Sequence, residues 1–201
     1  GAAGSGKTYY ATQLAKEMSG YRVFLTSKTH VGCTQLKDAP GEVCTIARLY
    51  RKWVLMGAIQ PPALLIVDEC SMLTCDDYHK VVLPLKSLGV TIWLVGDGRS
   101  QLLAIMDQWH GCDLTADVSE TTMLRRAVDG FRHTFTEPKR ADERLFAFVR
   151  TIGYGGWRLG QDLQTTLAQC WEAFPAKGRP HSIMFAYVTA RGPEWWPALG
   201  R

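Results

Sequence analysis

The sequence has few of the features that mark a membrane, metal-binding or repeat protein. Its longest apolar runs, such as residues 63–67, are strand-sized and fall far short of the ~20 residues that span a membrane. Its six cysteines include no Cys-x-x-Cys pair, which argues against a zinc site or a thioredoxin-like motif. There is no internal repeat or low-complexity tract. The overall composition, 46% hydrophobic and 21% charged, is typical of a soluble globular protein. The scattered cysteines favour a reducing intracellular compartment, the cytoplasm or the nucleus.

The net charge of the chain excludes few classes of function. The formal net charge is +4 in 201 residues. A charge of this size permits a polyanionic partner such as nucleic acid but is equally typical of a solvated, slightly basic surface.

The first eight residues form a complete phosphate-binding motif. Residues 1–8, Gly-Ala-Ala-Gly-Ser-Gly-Lys-Thr, match the pattern G-x-x-x-x-G-K-[ST]. In such a loop the backbone N–H groups surround the phosphates of a nucleoside triphosphate, the lysine reaches the β- and γ-phosphates, and the last hydroxyl binds Mg²⁺. The predicted nucleotide-binding residues are therefore Gly1, Gly4, Ser5, Gly6, Lys7 and Thr8. Because this motif normally follows a buried strand, we expect the chain to be a fragment of a longer protein.

Helix and strand signals alternate along the first hundred residues. The pattern predicts helices over 10–18, 45–56 and 76–88, the last bent or cut short at Pro84, and strands over 21–26, 64–67 and 91–95. A short helix is expected to start within 34–36, before a turn at 38–41. Later signals predict a helix over 143–152, a less regular one over 162–174 and a strand over 182–188. The alternation predicts an α/β fold with a parallel sheet whose ligand site lies at the carboxyl ends of the strands.

An acidic pair follows the second apolar strand. Asp68 and Glu69 come directly after residues 64–67, which places them at the same sheet edge as Lys7. Asp68 would hold Mg²⁺, and Glu69 would act as a general base on the attacking water. The structural alternative is that both carboxylates only stabilise a helix N-terminus.

The residues around this pair resemble those of a known family. Residues 67–73, Val-Asp-Glu-Cys-Ser-Met-Leu, are similar to motif II of superfamily 1 helicases, especially the RecD-like and Dda-like branch. Other segments match further motifs of the family in the same order: 25–33 resembles motif Ia, 45–49 motif Ib, 94–102 motif III and 135–140 motif IV. The resemblance implies an α/β RecA-like P-loop NTPase. Its first domain would be residues 1–125, lacking the first strand, and 126–201 would be an inter-domain segment and the start of a second RecA-like domain.

The same resemblance implies roles for particular residues. Arg140 would reach the γ-phosphate, and Gln101 would sense it. The residues implied to contact nucleic acid are Thr29, His30, Thr45 and Arg48. Each of these residues also has a purely structural interpretation. Arg140 would then be a solvated surface cation, and His30 would only occupy a loop. Thr29, Thr45 and Arg48 would serve turns and helix caps.

The sequence departs from the family pattern in three places. Three residues separate Asp97 from Gln101 where two are usual, so that Arg99 or Ser100 could take the sensor position. Leu103 replaces the usual proline, and motifs V and VI are missing.

The leading interpretation is an ATP- and Mg²⁺-dependent helicase that moves on single-stranded nucleic acid, with DNA favoured over RNA. It predicts no membrane partner, and replication or repair proteins are the candidate protein partners. Two alternatives stay open: the RNA helicase domain of a positive-strand RNA virus, and a P-loop ATPase that switches conformation without unwinding. The isolated fragment is also expected to be inactive if its missing strand and motifs are essential.

Overall fold

A computed structural model describes residues 4–97, 108–109, 112–113, 121–139, 142–151, 165, 168–169 and 172–173. The chain divides into two compact units, Gly1–Asp162 and Leu163–Arg201. The described residues of the second unit, 165, 168–169 and 172–173, are helical. All elements named below belong to the first unit.

The elements of the first unit alternate between strand and helix. The strands are β1 (Arg22–Ser27), β2 (Glu42–Thr45), β3 (Ala63–Asp68), β4 (Thr91–Leu94), β5 (Gln108–Trp109) and β6 (Cys112–Asp113). The α-helices are α1 (Lys7–Glu17), α2 (His30–Gln35), α3 (Ile46–Leu49), α4 (Cys75–Asp77), α5 (Leu83–Ser87), α6 (Thr122–Ala127) and α7 (Glu143–Thr151). A 3₁₀ turn covers Cys70–Met72, and π-helical turns cover Tyr50–Val54 and Tyr78–Val82. Within the described ranges, every helix is too short or too polar to cross a membrane.

Four of these strands form a parallel sheet in the order β2-β1-β3-β4. Ser27, the last residue of β1, is paired with Thr45 of β2 and with Asp68 of β3. Val67 is paired with Leu94 of β4. The strands therefore end in register, and the segments that follow them leave from one edge of the sheet. This is the α/β RecA-like P-loop fold predicted from the sequence, and in such sheets ligands bind at that edge.

The strands differ in burial because of their places in the sheet. All six residues of β3 are buried, because it lies between two strands and is covered on both faces. In β4, by contrast, only Ile92 is buried, although the strand is equally apolar. A cavity of about 330 Å³ lies beside β4, and its lining includes Trp93, Leu94 and residues of α1.

This contrast predicts different costs for two leucine truncations. Leu65→Ala removes a side chain that is 0% exposed and leaves a cavity, so we expect it to lower the free energy of unfolding by about 2–5 kcal/mol. Leu94→Ala, one strand away in a half-buried site, should cost clearly less. Chemical denaturation of both variants measures the difference, and equal costs would contradict the burial described here.

Most predicted elements are present with shifted ends. The strands predicted over 21–26, 64–67 and 91–95 are confirmed as β1, β3 and β4. The helix predicted over 10–18 begins earlier, at Lys7, because the chain leaves the phosphate loop directly into the helix. The helix predicted over 76–88 is interrupted by a π-helical turn before Pro84, which lies in the first turn of α5. The helix over 143–152 is confirmed as α7.

Other expectations were wrong, or concern residues that the structure does not describe. The helix expected to start within 34–36 instead begins at His30, because the Thr29 hydroxyl caps it. The prediction missed β2 and α6. Most of 162–174 and all of the strand predicted over 182–188 lie outside the described residues.

Candidate nucleotide-binding site

The phosphate loop owes its shape to two glycines. Gly4 and Gly6 have φ angles of 78° and 84°, a backbone region that only glycine adopts at little cost. Gly6 is the N-cap of α1, so the helix begins at Lys7 with its first N–H groups directed toward the loop. Ser5 between them is buried. This combination of curled backbone and helix N-terminus is the arrangement that binds phosphate.

The phosphate loop contacts the acidic pair directly. The Thr8 hydroxyl donates to the carboxylate of Asp68, at 3.1 Å from one oxygen and 3.0 Å from the other. These residues are 60 positions apart in the sequence and meet because β3 ends beside the start of α1. The structure thus brings together the two side chains predicted to hold a metal ion.

The backbone at Glu69 is unusual for a residue with a side chain. Its φ of 53° and ψ of 46° lie in the left-handed region, which costs roughly 1 kcal/mol or more and is common at functional sites. Its N–H donates to Asp68. Burial, followed by the nearby Asp68 carboxylate, raises the pKa of Glu69 above its usual value, while Lys7 opposes the shift. A raised pKa suits a carboxylate that exchanges a proton near neutral pH.

Lys7 lies among three acidic residues. Burial lowers the pKa of Lys7, and the carboxylates of Asp97, Asp68 and Glu69 act in the opposite direction, in that order of size. Asp97 is itself buried and follows β4 closely in the chain. The site therefore concentrates one cation and three carboxylates at the carboxyl edge of the sheet.

The residues present fit a magnesium ion shared with a phosphate ligand. In the described part of the chain no three His, Cys, Asp or Glu residues are grouped so that they could hold a metal ion alone. Mg²⁺ commonly takes one or two protein oxygens and completes its shell with water and substrate phosphates. The Thr8 hydroxyl and the Asp68 carboxylate are hard oxygen ligands of this kind.

A segment near residue 139 packs against the phosphate loop. The backbone N–H of Lys139 donates to the carbonyl of Gly4 at 2.9 Å. A Cβ atom at Gly6 would come within 3.2 Å of the Lys139 side chain, so this glycine is also needed for close packing. The rings of Tyr10 and Phe135 meet edge to face, with centroids 5.3 Å apart. The segment that contains Phe135 and Lys139 is therefore held against the phosphate loop and the start of α1.

The residues implied to contact nucleic acid lie just after β1 (Thr29 and His30) and at or just after the end of β2 (Thr45 and Arg48). The hydroxyl of Thr29 accepts a hydrogen bond from Gly32 N–H at 3.0 Å, and that of Thr45 accepts one from Arg48 N–H at 3.4 Å. Both threonines thus carry out the cap chemistry that the sequence left open as the alternative. His30 and Arg48 are exposed. None of these observations tests a nucleic-acid contact, which stays a prediction.

Three predicted site residues lie outside the described residues: Gly1, Gln101 and Arg140. Arg99 and Ser100, the alternative sensors, do as well. Their roles stay predictions.

Sequence reasoning also missed several residues of the site. The sequence predicted Asp97 at the same sheet edge as Lys7, but it did not predict that Asp97 is the carboxylate with the largest effect on the Lys7 ammonium. The contact of Lys139 with Gly4 has no local signal, because it joins segments 135 residues apart (139 − 4). The ion pair between Lys28 and Asp77 was likewise not predicted. The spacing of Thr74 and Asp77, typical of a helix capping box, is the local signal that could have indicated the position of Asp77.

A parallel α/β sheet with a phosphate loop at its carboxyl edge, facing an acidic residue, defines a P-loop NTPase. The family of AAA domains matches residues 1–129, well over half of the chain, and the chain belongs to this family. It is therefore a nucleotide-binding P-loop ATPase domain, a type compatible with helicase-like activity. No curated protein matches the chain.

Proposed function

We propose that this domain hydrolyses ATP with Mg²⁺ and uses the reaction to move along single-stranded nucleic acid, as in superfamily 1 helicases. The observation that carries the proposal is the contact between Thr8 and Asp68 at the sheet edge from which the segments after β1 and β2 also leave. The nucleotide and the nucleic acid would then bind to neighbouring parts of the same sheet edge.

The hydrolytic step follows from the charges at the site. Lys7 would neutralise charge on the β- and γ-phosphates. Thr8 and Asp68 would hold Mg²⁺, which would stabilise charge that develops on the phosphate oxygens. Glu69 accepts a proton from the attacking water at its carboxylate, a role supported by its raised pKa.

The segment after α6 supplies the coupling in this proposal. Lys139 is hydrogen-bonded to Gly4, and the next residue in the chain is Arg140, which the helicase resemblance assigns to the γ-phosphate. An arginine at that place would stabilise the charge that develops during phosphoryl transfer. Binding and release of the nucleotide would then change the position of the segment that contains it.

The support for nucleic-acid binding is chemical. A capping hydroxyl accepts with its oxygen and keeps its hydrogen, so the exposed Thr29 can still donate to a phosphate. Thr45 is buried, and its part would be to hold the backbone of Arg48. Arg48 adds an exposed cation one turn beyond Thr45. Hydroxyls and cations of this kind position a protein on a nucleic-acid backbone without reading its sequence.

The deciding experiment measures ATP hydrolysis with no polymer, with single-stranded DNA and with single-stranded RNA. We expect DNA to stimulate hydrolysis more than RNA does. Greater stimulation by RNA would favour an RNA helicase, and a rate indifferent to both polymers would favour a conformational switch.

A comparison of two arginine variants tests whether Arg48 contacts the nucleic acid. Arg48→Ala should weaken single-stranded DNA binding for all sequences and reduce the slope of log K against log salt by about one, because one phosphate contact is lost. Arg51→Ala is the matched control: it removes an exposed arginine one turn further on, whose Nε donates to the Ala47 carbonyl. Equal losses in both variants would mean that general charge, rather than Arg48, holds the strand.

A further inference from the structure

We propose that the ion pair between Lys28 and Asp77 couples the loop after β1 to the loop that contains the acidic pair, so that nucleic acid and nucleotide change each other's affinity. The inference rests on the proposed function, because it takes Thr29 and His30, the residues after Lys28, as contacts for the nucleic acid. Lys28 and Asp77 act here as positioning residues that touch neither ligand.

The pair joins two segments at the ligand-binding edge of the sheet. Lys28 directly follows β1, and its ammonium lies 2.5 Å from the Asp77 carboxylate, 49 residues further along the chain. The same carboxylate oxygen accepts from the Thr74 N–H at 2.9 Å and from the Thr74 hydroxyl at 2.8 Å, which completes the capping box of α4. Lys28 is therefore bound to a carboxylate whose position is already fixed.

Burial distinguishes this pair from an ordinary surface ion pair. The Asp77 side chain is 15% exposed and that of Lys28 33%. The neighbouring pair between Lys80 and Asp76 has both side chains more than half exposed. Solvent and salt screen the exposed pair strongly, whereas the shielded pair keeps more of its attraction and its geometry.

From Asp77 the connection continues to the acidic pair through buried groups. The next residue, Tyr78, is fully buried, and its hydroxyl donates to the carbonyl of Cys70 at 3.4 Å. The Cys70 N–H donates to the carbonyl of Val95 at 3.0 Å, and Cys70 directly follows Glu69. A Cβ atom at Gly96 would lie 2.9 Å from the Cys70 sulfur, so the loop after β4 packs closely here too. A shift of Asp77 is thus resisted by the same contacts that place Glu69.

At the other end of the ion pair, Lys28 belongs to a loop that is held in place by local contacts. Thr29 caps α2 by accepting from Gly32 N–H. A Cβ atom at Gly32 would lie 2.2 Å from the Ser27 hydroxyl, so α2 rests on the end of β1. A nucleic acid that displaces Thr29 and His30 would therefore also move Lys28 and, through the ion pair, Asp77.

The experiment measures the coupling between the two ligands in the whole chain. A fluorescent, non-hydrolysable ATP analogue is titrated with Mg²⁺ present, with and without a saturating single-stranded oligothymidine. The ratio of the two dissociation constants is the coupling factor, and titration in the opposite order must return the same factor. We expect a factor of about fivefold or more for the unmodified chain, at the low end of common allosteric couplings.

Five variants separate the ion pair from other effects. Lys28→Met and Asp77→Asn should each bring the factor to within about twofold of one, and the double variant should add little further, as for residues that act as a pair. Lys28→Arg should restore part of the coupling. Lys80→Met breaks the exposed pair on the adjacent turn and should leave the factor unchanged.

Two controls keep the result interpretable. Asp77→Asn retains the positive charge of Lys28, so loss of coupling there is not a loss of attraction for DNA. Lys28→Met leaves the capping box intact, so loss of coupling there is not a loss of α4.

The outcomes divide cleanly. The inference is overturned if coupling is retained in both Lys28→Met and Asp77→Asn. It is also overturned if the unmodified chain binds both ligands without coupling. In either case the proposed function still stands. Failure of the unmodified chain to bind the oligonucleotide overturns the nucleic-acid part of the proposed function and the inference with it.

Discussion

Lys7→Ala is expected to reduce ATP hydrolysis by on the order of 10²-fold or more, because it removes a positioned cation that stabilises charge on the transferred phosphate. Lys7 follows the curled backbone at Gly4 and Gly6 and is the first residue of α1. The neighbours that act on its charge, Asp97, Asp68 and Glu69, are carboxylates and cannot replace it. We expect nucleotide affinity to fall as well, since the ground-state phosphates lose the same partner.

Lys16→Ala is the matched control for this change. It removes a lysine from the last turn of the same helix, where the side chain is exposed and lies 3.4 Å from Gln13. Release of phosphate and binding of a fluorescent nucleotide should be measured for both variants, with circular dichroism to show that α1 is intact. Turnover retained in Lys7→Ala would remove the assignment of the phosphate loop as the reaction site.

Glu69→Gln is expected to separate binding from chemistry. It keeps the size of the side chain and the polar groups next to the left-handed backbone, but it removes the carboxylate that accepts a proton. Loss of a general base typically costs 10²–10⁴-fold, so the rate of hydrolysis should fall by about that factor. Nucleotide affinity should change by less than about threefold, because the phosphate contacts of the loop are untouched.

The readouts for this variant are single-turnover hydrolysis and equilibrium nucleotide binding. Glu17→Gln, an exposed change at the end of α1, serves as its control. If Glu69→Gln weakened binding and left the single-turnover rate unchanged, the residue would hold the ligand rather than act as a base.

Some features of the site were predictable because their signals are local. The glycine spacing of residues 1–8 indicated a phosphate loop, since the required backbone turns are made by consecutive residues. The apolar run of β3 followed by Asp68 and Glu69 indicated both a buried strand and the acids at its end. Because parallel strands end at a common edge, the approach of those acids to Lys7 could also be anticipated.

Other features depended on partners distant in the sequence. The segment Glu42–Thr45 is short and partly polar, and it is a strand because β1 pairs with it. The start of α2 was predicted four or more residues too late, because the hydroxyl of Thr29 caps the helix and so begins it at His30. Gln101 and Arg140, taken from the helicase resemblance, stay predictions.

The sequence by itself determined the chemistry of this protein, a phosphate loop and an acidic pair, because each is encoded within a few consecutive residues. Only the tertiary structure decided the contacts of Thr8 with Asp68, of Lys28 with Asp77 and of Lys139 with Gly4. The physical reason is that such contacts form when the sheet brings together segments dozens of residues apart, and no local pattern records which side chains then meet.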